Sequence, residues 1–120
     1  MPSRFYTVVV DARDPAALAR FWKDVLDWKT VYESPDEVVI AKDDEQHPGL
    51  VFVPVPEDKQ IKDRLHIDLA PDDRDAEVER IVALGATRAD VGQGDDVTWV
   101  VLADPEGNEF CVLSSREGGM

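Results

Sequence analysis

The stretch RLHIDL, residues 64–69, decides the fold, and it lies just past the midpoint of the 120-residue chain. Leucine and isoleucine occupy its odd positions, while Arg64, His66 and Asp68 occupy its even ones. Side chains of a strand point alternately to opposite faces of a sheet, so this pattern predicts a strand with one apolar and one polar face. The polar face carries an imidazole and a carboxylate on the same side, which is typical of a strand that lines a pocket.

The composition is acidic and contains one cysteine. The chain has 26 Asp and Glu against 13 Lys and Arg, a net charge of −13 that favours solubility. This charge repels phosphate backbones and anionic lipid, so we expect neither nucleic acid nor a membrane as a partner. The single Cys111 excludes an intrachain disulfide and fits a cytoplasmic protein. No apolar stretch is long enough for a signal peptide or a membrane span.

Strand and helix signals alternate along the rest of the chain. Runs of β-branched and aromatic residues predict eight strands, over 5–11, 29–33, 37–42, 50–55, 64–69, 86–88, 97–103 and 109–113. Asp14-Pro15 is an N-cap followed by proline at the first helical position, and Pro71-Asp72-Asp73 caps a second helix that ends at Gly85. Each half therefore has the order strand–helix–strand–strand–strand.

The two halves form a repeat with weak sequence identity. Overlaying Asp14 on Asp73 places Thr7 on His66, a shift of about half the chain. We therefore predict an α+β fold made of two βαβββ modules. The modules span about residues 4–55 and 62–114 of a single domain, joined by a linker at about 54–61.

Several segments resemble the small bacterial glyoxalase-like proteins of the vicinal oxygen chelate superfamily. The superfamily includes glyoxalase I, bleomycin-resistance proteins and extradiol dioxygenases. The segments that carry the resemblance are 14–15, 21–22, 25–28, 55–59 (VPEDK), 62–69 (KDRLHIDL), 99–102 (WVVL) and 104–113 (DPEGNEFCVL). The resemblance implies that each module curls its mixed sheet into a half-barrel, that the pair forms a U-shaped cavity, and that the protein is a homodimer.

The resemblance also implies metal ligands on the first and last strands of each module. His66 stands at one of these positions, but Thr7 occupies the equivalent one, Cys111 replaces a glutamate, and residues 50–53 are all apolar. Because one ligand of four is retained, we expect no cofactor, with Thr7 and Cys111 as ligand-binding positions. The alternative is a divalent metal held by His66 and Glu109, with Cys111 favouring a soft ion.

The remaining predicted site residues surround His66. We expect His66 to act as a general acid or base and Asp68 to fix its tautomer, although the pair could equally be a structural hydrogen bond. Arg64 is a candidate for binding an acidic group of a ligand, or it neutralises Asp68. Trp99 and Phe52 are candidate pocket walls.

These residues predict a glyoxalase-like protein that binds a small molecule and lacks the full metal site of the family. One alternative is a metal-dependent lyase or dioxygenase with a non-standard ligand set. Another is a drug-sequestering protein of the bleomycin-resistance type. Because one scaffold serves all three functions, the sequence leaves open whether the protein is an enzyme.

Overall fold

The computed structural model describes residues 2–43, 48–89 and 99–114. The chain divides into two compact units, Met1–Asp58 and Lys59–Met120, which we call the first and second modules. Within the described residues, neither helix has the length and hydropathy that crossing a membrane requires.

The first module is a four-stranded mixed sheet with one helix. Its elements are β1 (Thr7–Ala12), α1 (Pro15–Leu26), β2 (Lys29–Ser34), β3 (Glu37–Ala41) and β4 (Gly49–Pro54). The sheet order is β1-β4-β3-β2. β1 runs parallel to β4, and the other neighbours are antiparallel.

Helix α1 begins where its sequence signals predict. The Asp14 carboxylate accepts a hydrogen bond from the Ala17 N–H at 3.2 Å, and Asp27 closes the helix in the left-handed conformation. Between these caps, an apolar stripe is buried against β3 and β4. Phe21 and Trp22 lie in that stripe and meet edge to face, with ring centroids 5.3 Å apart. The helix therefore supplies the aromatic part of the core of the first module.

The second module repeats this plan. Its elements are β5 (Asp68–Leu69), α2 (Arg74–Leu84), β6 (Thr87–Arg88), β7 (Val100–Ala103) and β8 (Glu109–Val112). The sheet order is β5-β8-β7-β6, with β5 parallel to β8. Asp73 caps α2 by accepting from the Ala76 N–H at 3.2 Å, and Gly85 ends it with φ of 128°. The predicted α+β fold of two βαβββ modules is thus confirmed.

A tight turn between β7 and β8 is built around Asp104, which is 4% exposed. Its carboxylate accepts hydrogen bonds from the Glu106 N–H at 2.9 Å, the Asn108 N–H at 3.0 Å and the Asn108 side-chain amide at 3.0 Å. Gly107 has φ of 89° in this turn, a conformation that favours glycine. The turn fixes where β8 begins and therefore places the residues of that strand.

The strand predicted over 64–69 is shorter than expected. Only Asp68–Leu69 is a strand, and Leu65, expected on the apolar face, is 87% exposed. The reason is that pairing with β8 starts late: the Cys111 N–H donates to the Ile67 carbonyl at 3.0 Å. Upstream, the Asp63 N–H donates to the side chain of Glu109 at 2.9 Å instead of joining a backbone ladder. The strand predicted over 97–103 starts at Val100, and residues 97–98 lie outside the described part of the chain.

Sheet register aligns the two modules residue by residue. Val9 lies opposite Val51 in β1 and β4, and Asp68 lies opposite Cys111 in β5 and β8. Val9 precedes the N-cap residue Asp14 by five positions, and Asp68 precedes the N-cap residue Asp73 by the same number. Asp68 is therefore the equivalent of Val9, and Cys111 the equivalent of Val51. By the same alignment, His66 corresponds to Thr7, as the sequence repeat predicted.

Candidate functional site

One face of the second module holds a pocket of about 370 Å³. His66 and Cys111 point to this face, and strand alternation brings every second residue of their strands to the same side. The pocket is lined by Lys62, His66, Asp68, Trp99, Val101, Glu109, Phe110, Cys111 and Leu113. Five of the predicted site residues therefore line one pocket.

Three of these side chains meet in a cluster, which we call the polar cluster: His66, Asp68 and Cys111. His66 Nε2 lies 3.1 Å from Asp68 Oδ1, and the Cys111 thiol hydrogen-bonds with the same carboxylate. One donor atom from each of the three residues lies within 4.8 Å of the others. The side chains of His66 and Asp68 are 43% and 52% exposed, whereas Cys111 is 8% exposed. The cluster thus has a fixed, buried sulfur and two accessible polar groups.

The Cys111 thiol is held in its protonated form. Burial raises its pKa first, and the charge and hydrogen bond of Asp68 raise it further, against a smaller opposing effect of the Lys62 ammonium. Because the thiolate is the reactive form of cysteine, this environment disfavours nucleophilic catalysis by Cys111. The thiol instead donates a hydrogen bond that helps to hold the Asp68 carboxylate in place.

Glu109 also lines the pocket, but its carboxylate is bound to other groups. One oxygen accepts from Lys59 Nζ at 2.8 Å, and the other accepts from the Asp63 N–H at 2.9 Å. Burial alone would raise the pKa of Glu109, but these hydrogen bonds and the Lys59 charge outweigh it, so the pKa is lowered. In the described residues, the third donor beside His66 and Asp68 is therefore Cys111, and Glu109 anchors the segment before β5.

The basic residue of the pocket is not the one that the sequence suggested. Arg64 was the predicted partner of an acidic ligand, but it is exposed and is not among the residues that line the pocket. Lys62, two residues earlier, lines it instead. Both residues have the same parity, so spacing alone could have nominated either. What decides between them is the position at which β5 starts. The alternation pattern placed this start too early in the chain.

Two predicted site residues, Thr7 and Phe52, belong to the first module. Thr7 lines a pocket of about 290 Å³ formed by residues of the first module, and its hydroxyl donates to the Gly49 carbonyl at 3.1 Å. Phe52 is fully buried in the core of that module, while its neighbour Val51 lines the pocket. Trp99 belongs to the second module, lines its pocket and is 38% exposed. Phe52 therefore lies in the core of the first module, and Trp99 lies on the wall of the second-module pocket.

A sequence profile of the glyoxalase-like domain matches residues 7–113. This chain belongs to the glyoxalase-like domain family. No curated protein sequence matches it.

Solved structures of the glyoxalase, bleomycin resistance and dioxygenase superfamily share the fold of this glyoxalase-like protein. A family enzyme from Burkholderia phytofirmans PsJN matches with TM-score 0.68 and 22% identity, covering 88% of this chain and 94% of the other. The fosfomycin resistance protein FosX from Listeria monocytogenes, solved with Mn(II) and a dihydroxypropylphosphonic acid, matches with TM-score 0.73 and 16% identity, covering 98% and 94%. The bleomycin-binding protein of Streptomyces verticillus matches with TM-score 0.60 and 18% identity, covering 97% and 99%. At these identities the likeness shows the fold alone.

Proposed function

We propose that this glyoxalase-like protein binds a small organic molecule in the pocket of the second module. The observation that carries the proposal is the composition of that pocket, which combines the polar cluster with the apolar surfaces of Trp99 and Val101. Small-molecule sites in proteins typically pair apolar walls with a few convergent polar groups. The volume of about 370 Å³ falls in the range of such sites, about 300–1,000 Å³.

The exposed groups of the pocket define what the ligand can offer. Trp99 presents a half-exposed indole, which favours a planar or apolar ligand body. Lys62 supplies a cation at the pocket, and the polar cluster supplies a hydrogen-bonding imidazole. We therefore expect a planar ligand whose polar substituent reaches His66, with an acidic group favoured by Lys62.

Acid–base chemistry is the second part of the proposal. Asp68 binds His66 through Nε2, which leaves the Nδ1 atom of the ring to accept or release a ligand proton. A carboxylate at this distance orients the imidazole. Both side chains are about half exposed, so a ligand can reach them. His66 is the group that we assign to proton transfer, and Asp68 is the group that positions it.

A ligand screen tests the binding proposal. Ligand-observed NMR of the full chain would compare planar acids, their neutral amides and planar cations, with and without EDTA. Among the hits, Trp99→Ala and His66→Thr should each weaken binding at least about tenfold, because each removes a contact in the centre of the pocket. Glu79→Gln, on the exposed surface of α2, is the matched control and should leave affinity unchanged.

Two outcomes of this screen would count against the proposal. The first is that no compound class binds at millimolar concentration. The second is that hits bind equally well to the Trp99→Ala and His66→Thr variants. A preference for planar cations would remove the role assigned to Lys62 and favour the alternative of drug sequestration. The Streptomyces verticillus neighbour is a bleomycin-binding protein.

A homodimer completes the proposal. Apolar side chains are exposed in both modules, with Phe5 66%, Val9 56% and Leu65 87% accessible in the single chain. Exposed apolar groups of this size are a common feature of protein–protein interfaces. Light scattering at micromolar concentration should give twice the mass of one chain. A monomeric mass at that concentration would contradict this part.

A further inference from the structure

We propose that Glu109 is a positioning residue for the pocket of the second module, because its carboxylate holds closed a strap that carries Lys62 and His66. The strap is the segment 59–66, which lies outside the helices and strands. Its consequence for binding rests on the proposed function, which assigns Lys62 and His66 to the ligand. Its closure requires no ligand and can be measured on the chain alone.

Glu109 is a fixed point to which the strap can be fastened. It is the first residue of β8, and it lies opposite Ala103 in the antiparallel pair of β7 and β8. Backbone hydrogen bonds close the turn between these strands, from the Asp104 N–H to the Asn108 carbonyl at 2.9 Å and from the Gly107 N–H to the Asp104 carbonyl at 2.8 Å. A side chain on such a paired element is held more precisely than one on a loop.

Both oxygens of the Glu109 carboxylate bind the strap. Oε2 accepts from Lys59 Nζ at the start of the strap, at 2.8 Å, and Oε1 accepts from the Asp63 N–H in its middle, at 2.9 Å. Further along, backbone pairing begins where the Cys111 N–H donates to the Ile67 carbonyl. The carboxylate thus ties down residues that precede the paired part of β5.

The tether at Asp63 places two pocket groups. Lys62 precedes Asp63 by one residue and His66 follows it by three, and both Lys62 and His66 line the pocket. Burial and Asp68 raise the pKa of the Cys111 thiol, and the charge of Lys62 is close enough to oppose them. An open strap would therefore take a cation and an imidazole from the pocket together. Groups that are held in place before a ligand arrives bind it at a lower entropic cost.

The side chain of Asp63 works against the closed strap. Burial, then the charge of Glu109, raises the pKa of the Asp63 carboxyl, whereas Lys59 lowers it and Asp104 raises it further. The main chain of Asp63 is therefore attracted to Glu109, while its side chain is repelled. These opposed contributions bring the closed and open strap closer in free energy, as is typical of segments that open locally. Removing the acceptor should open the strap, and removing the Asp63 charge should close it more firmly.

Amide hydrogen exchange, measured by NMR on the ligand-free full chain, tests the strap. The readout is the protection factor of the residue 63 amide, and the internal reference is the Cys111 amide, which donates to Ile67. Glu109→Ala should lower protection at residue 63 at least about tenfold more than at Cys111, because it removes a charged acceptor. A loss of stability in the whole module would instead lower both protection factors together.

Two conservative variants should give intermediate and opposite results. Glu109→Gln keeps one oxygen for the residue 63 amide but loses the charge that pairs with Lys59, so protection should lie between those of wild type and Glu109→Ala. Asp63→Asn keeps the amide and removes the repulsion, so it should raise protection at residue 63. Glu79→Ala is the matched control, since it removes one exposed carboxylate of α2 and should leave that protection unchanged.

Benzoate and benzamide, a planar acid and its neutral amide, test the consequence for the pocket. Glu109→Ala removes a negative charge from the pocket lining, so a purely electrostatic role predicts tighter binding of benzoate. Release of the strap predicts the reverse. Benzoate should bind Glu109→Ala at least about tenfold more weakly, because Lys62 is no longer held at the pocket, and benzamide should lose less affinity.

Three results would overturn the inference. Protection at residue 63 could be the same in Glu109→Ala as in wild type, it could fall equally at residue 63 and at Cys111, or benzoate could bind Glu109→Ala more tightly. The first two results need no ligand. A wild-type chain that binds neither probe but shows the expected exchange pattern would oppose the proposed function and support the strap, so the two failures can be told apart.

Discussion

The two modules share a sheet order and a register but differ in the chemistry of one face. In both, the first strand pairs in parallel with the last, and the side chains that pack against the helix are apolar. On the pocket face, the first module has Val9 and Val51 where the second has Asp68 and Cys111. The difference shows that packing against the helix defines this fold, whereas the pocket face can exchange apolar for polar residues.

Polar residues on that face accompany a shorter strand. β1 has six residues, but its equivalent β5 has two. In the second module, Glu109 binds Lys59 and the Asp63 N–H, whereas the equivalent position of the first module is Gly49, which has no side chain. A side chain that captures backbone donors competes with the regular ladder. The second module, which has the polar residues on its pocket face, therefore has the shorter first strand.

The largest expected effect is a loss of stability on changing the helix-facing side of the first-module sheet. It tests whether that side is core while the pocket face is not. Phe52 is fully buried on the helix side, and Phe52→Ala should lower the free energy of unfolding by about 3–5 kcal/mol because it leaves a large cavity. Val9→Thr, on the pocket face, should change it by no more than about 0.5 kcal/mol in the monomer. Urea unfolding of both variants measures the contrast. Equal losses would show that the pocket face is also core.

The next effect concerns the position that is Gly49 in one module and Glu109 in the other. A Cβ added at Gly49 would lie 2.7 Å from the Ile40 carbonyl oxygen, so Gly49→Ala should cost about 1–3 kcal/mol through displaced backbone. Gly107→Ala is the comparison, since the nearest atom is 4.0 Å away and the cost there is about 1 kcal/mol for its positive φ. Thermal unfolding measures both losses, and the melting temperature should fall further for Gly49→Ala than for Gly107→Ala. A Gly49→Ala variant as stable as wild type would contradict the close approach.

The anchoring ion pair of the second module should contribute more than the exposed pair of the first. Lys59 and Glu109 are 19% and 15% exposed, so Lys59→Met should cost about 1–2 kcal/mol, because it strips a partly buried carboxylate of its partner. Arg13 and Asp58 are 50% and 71% exposed, and Arg13→Met should cost about 0.5 kcal/mol or less. Similar losses in the free energy of unfolding for the two variants, measured in urea, would contradict the difference between the two ion pairs.

The same pair gives a pH dependence with a definite sign. Because the pKa of Glu109 is lowered in the folded state, its contribution is complete above the unfolded value of about 4.3 and is lost as the pH falls below it. Glu109→Gln should therefore reduce stability at pH 7 and flatten the acid limb of the stability curve. Parallel acid limbs in wild type and variant would contradict this assignment.

The smallest expected effect is a gain of stability when Asp63, a neighbour of that ion pair, loses its charge. Burial, then repulsion from Glu109, raises the pKa of Asp63, so its charge disfavours the folded state at pH 7. Asp63→Asn keeps the backbone N–H that Glu109 accepts and should stabilise the protein by up to about 0.5 kcal/mol. The gain should vanish below about pH 3.9, where Asp63 is protonated in both states. A lower melting temperature at pH 7 would oppose this interpretation.

Local signals predicted most of the fold. The caps Asp14 and Asp73 lie at the starts of both helices, and the strands of the first module are within about two residues of their expected limits. Capping side chains and alternation act over a few residues, so one segment of sequence contains the information that they need. The repeat was visible for the same reason, because both helix starts carry the same signal.

The site depended on information that no single segment contains. That Cys111 meets Asp68 follows from the register of β5 against β8, which joins residues 43 positions apart. The start of β5 depends on the distant Glu109, so the alternation pattern pointed to Arg64, whereas Lys62 is the basic residue that lines the pocket. An aromatic residue in an apolar strand fits either face, so the sequence made Phe52 a candidate pocket wall. In the folded chain Phe52 is buried, and Val51 lines the pocket.

The parallel pairing of first and last strands also sets the order in which the molecule can be completed during synthesis. β1 sits at the edge of its sheet with β4 as its neighbour, so that sheet is complete once residue 54 has left the ribosome. His66 and Asp68 emerge long before Cys111, the third residue of the polar cluster. A chain stopped before residue 109 therefore contains every residue of the first module but cannot assemble the polar cluster.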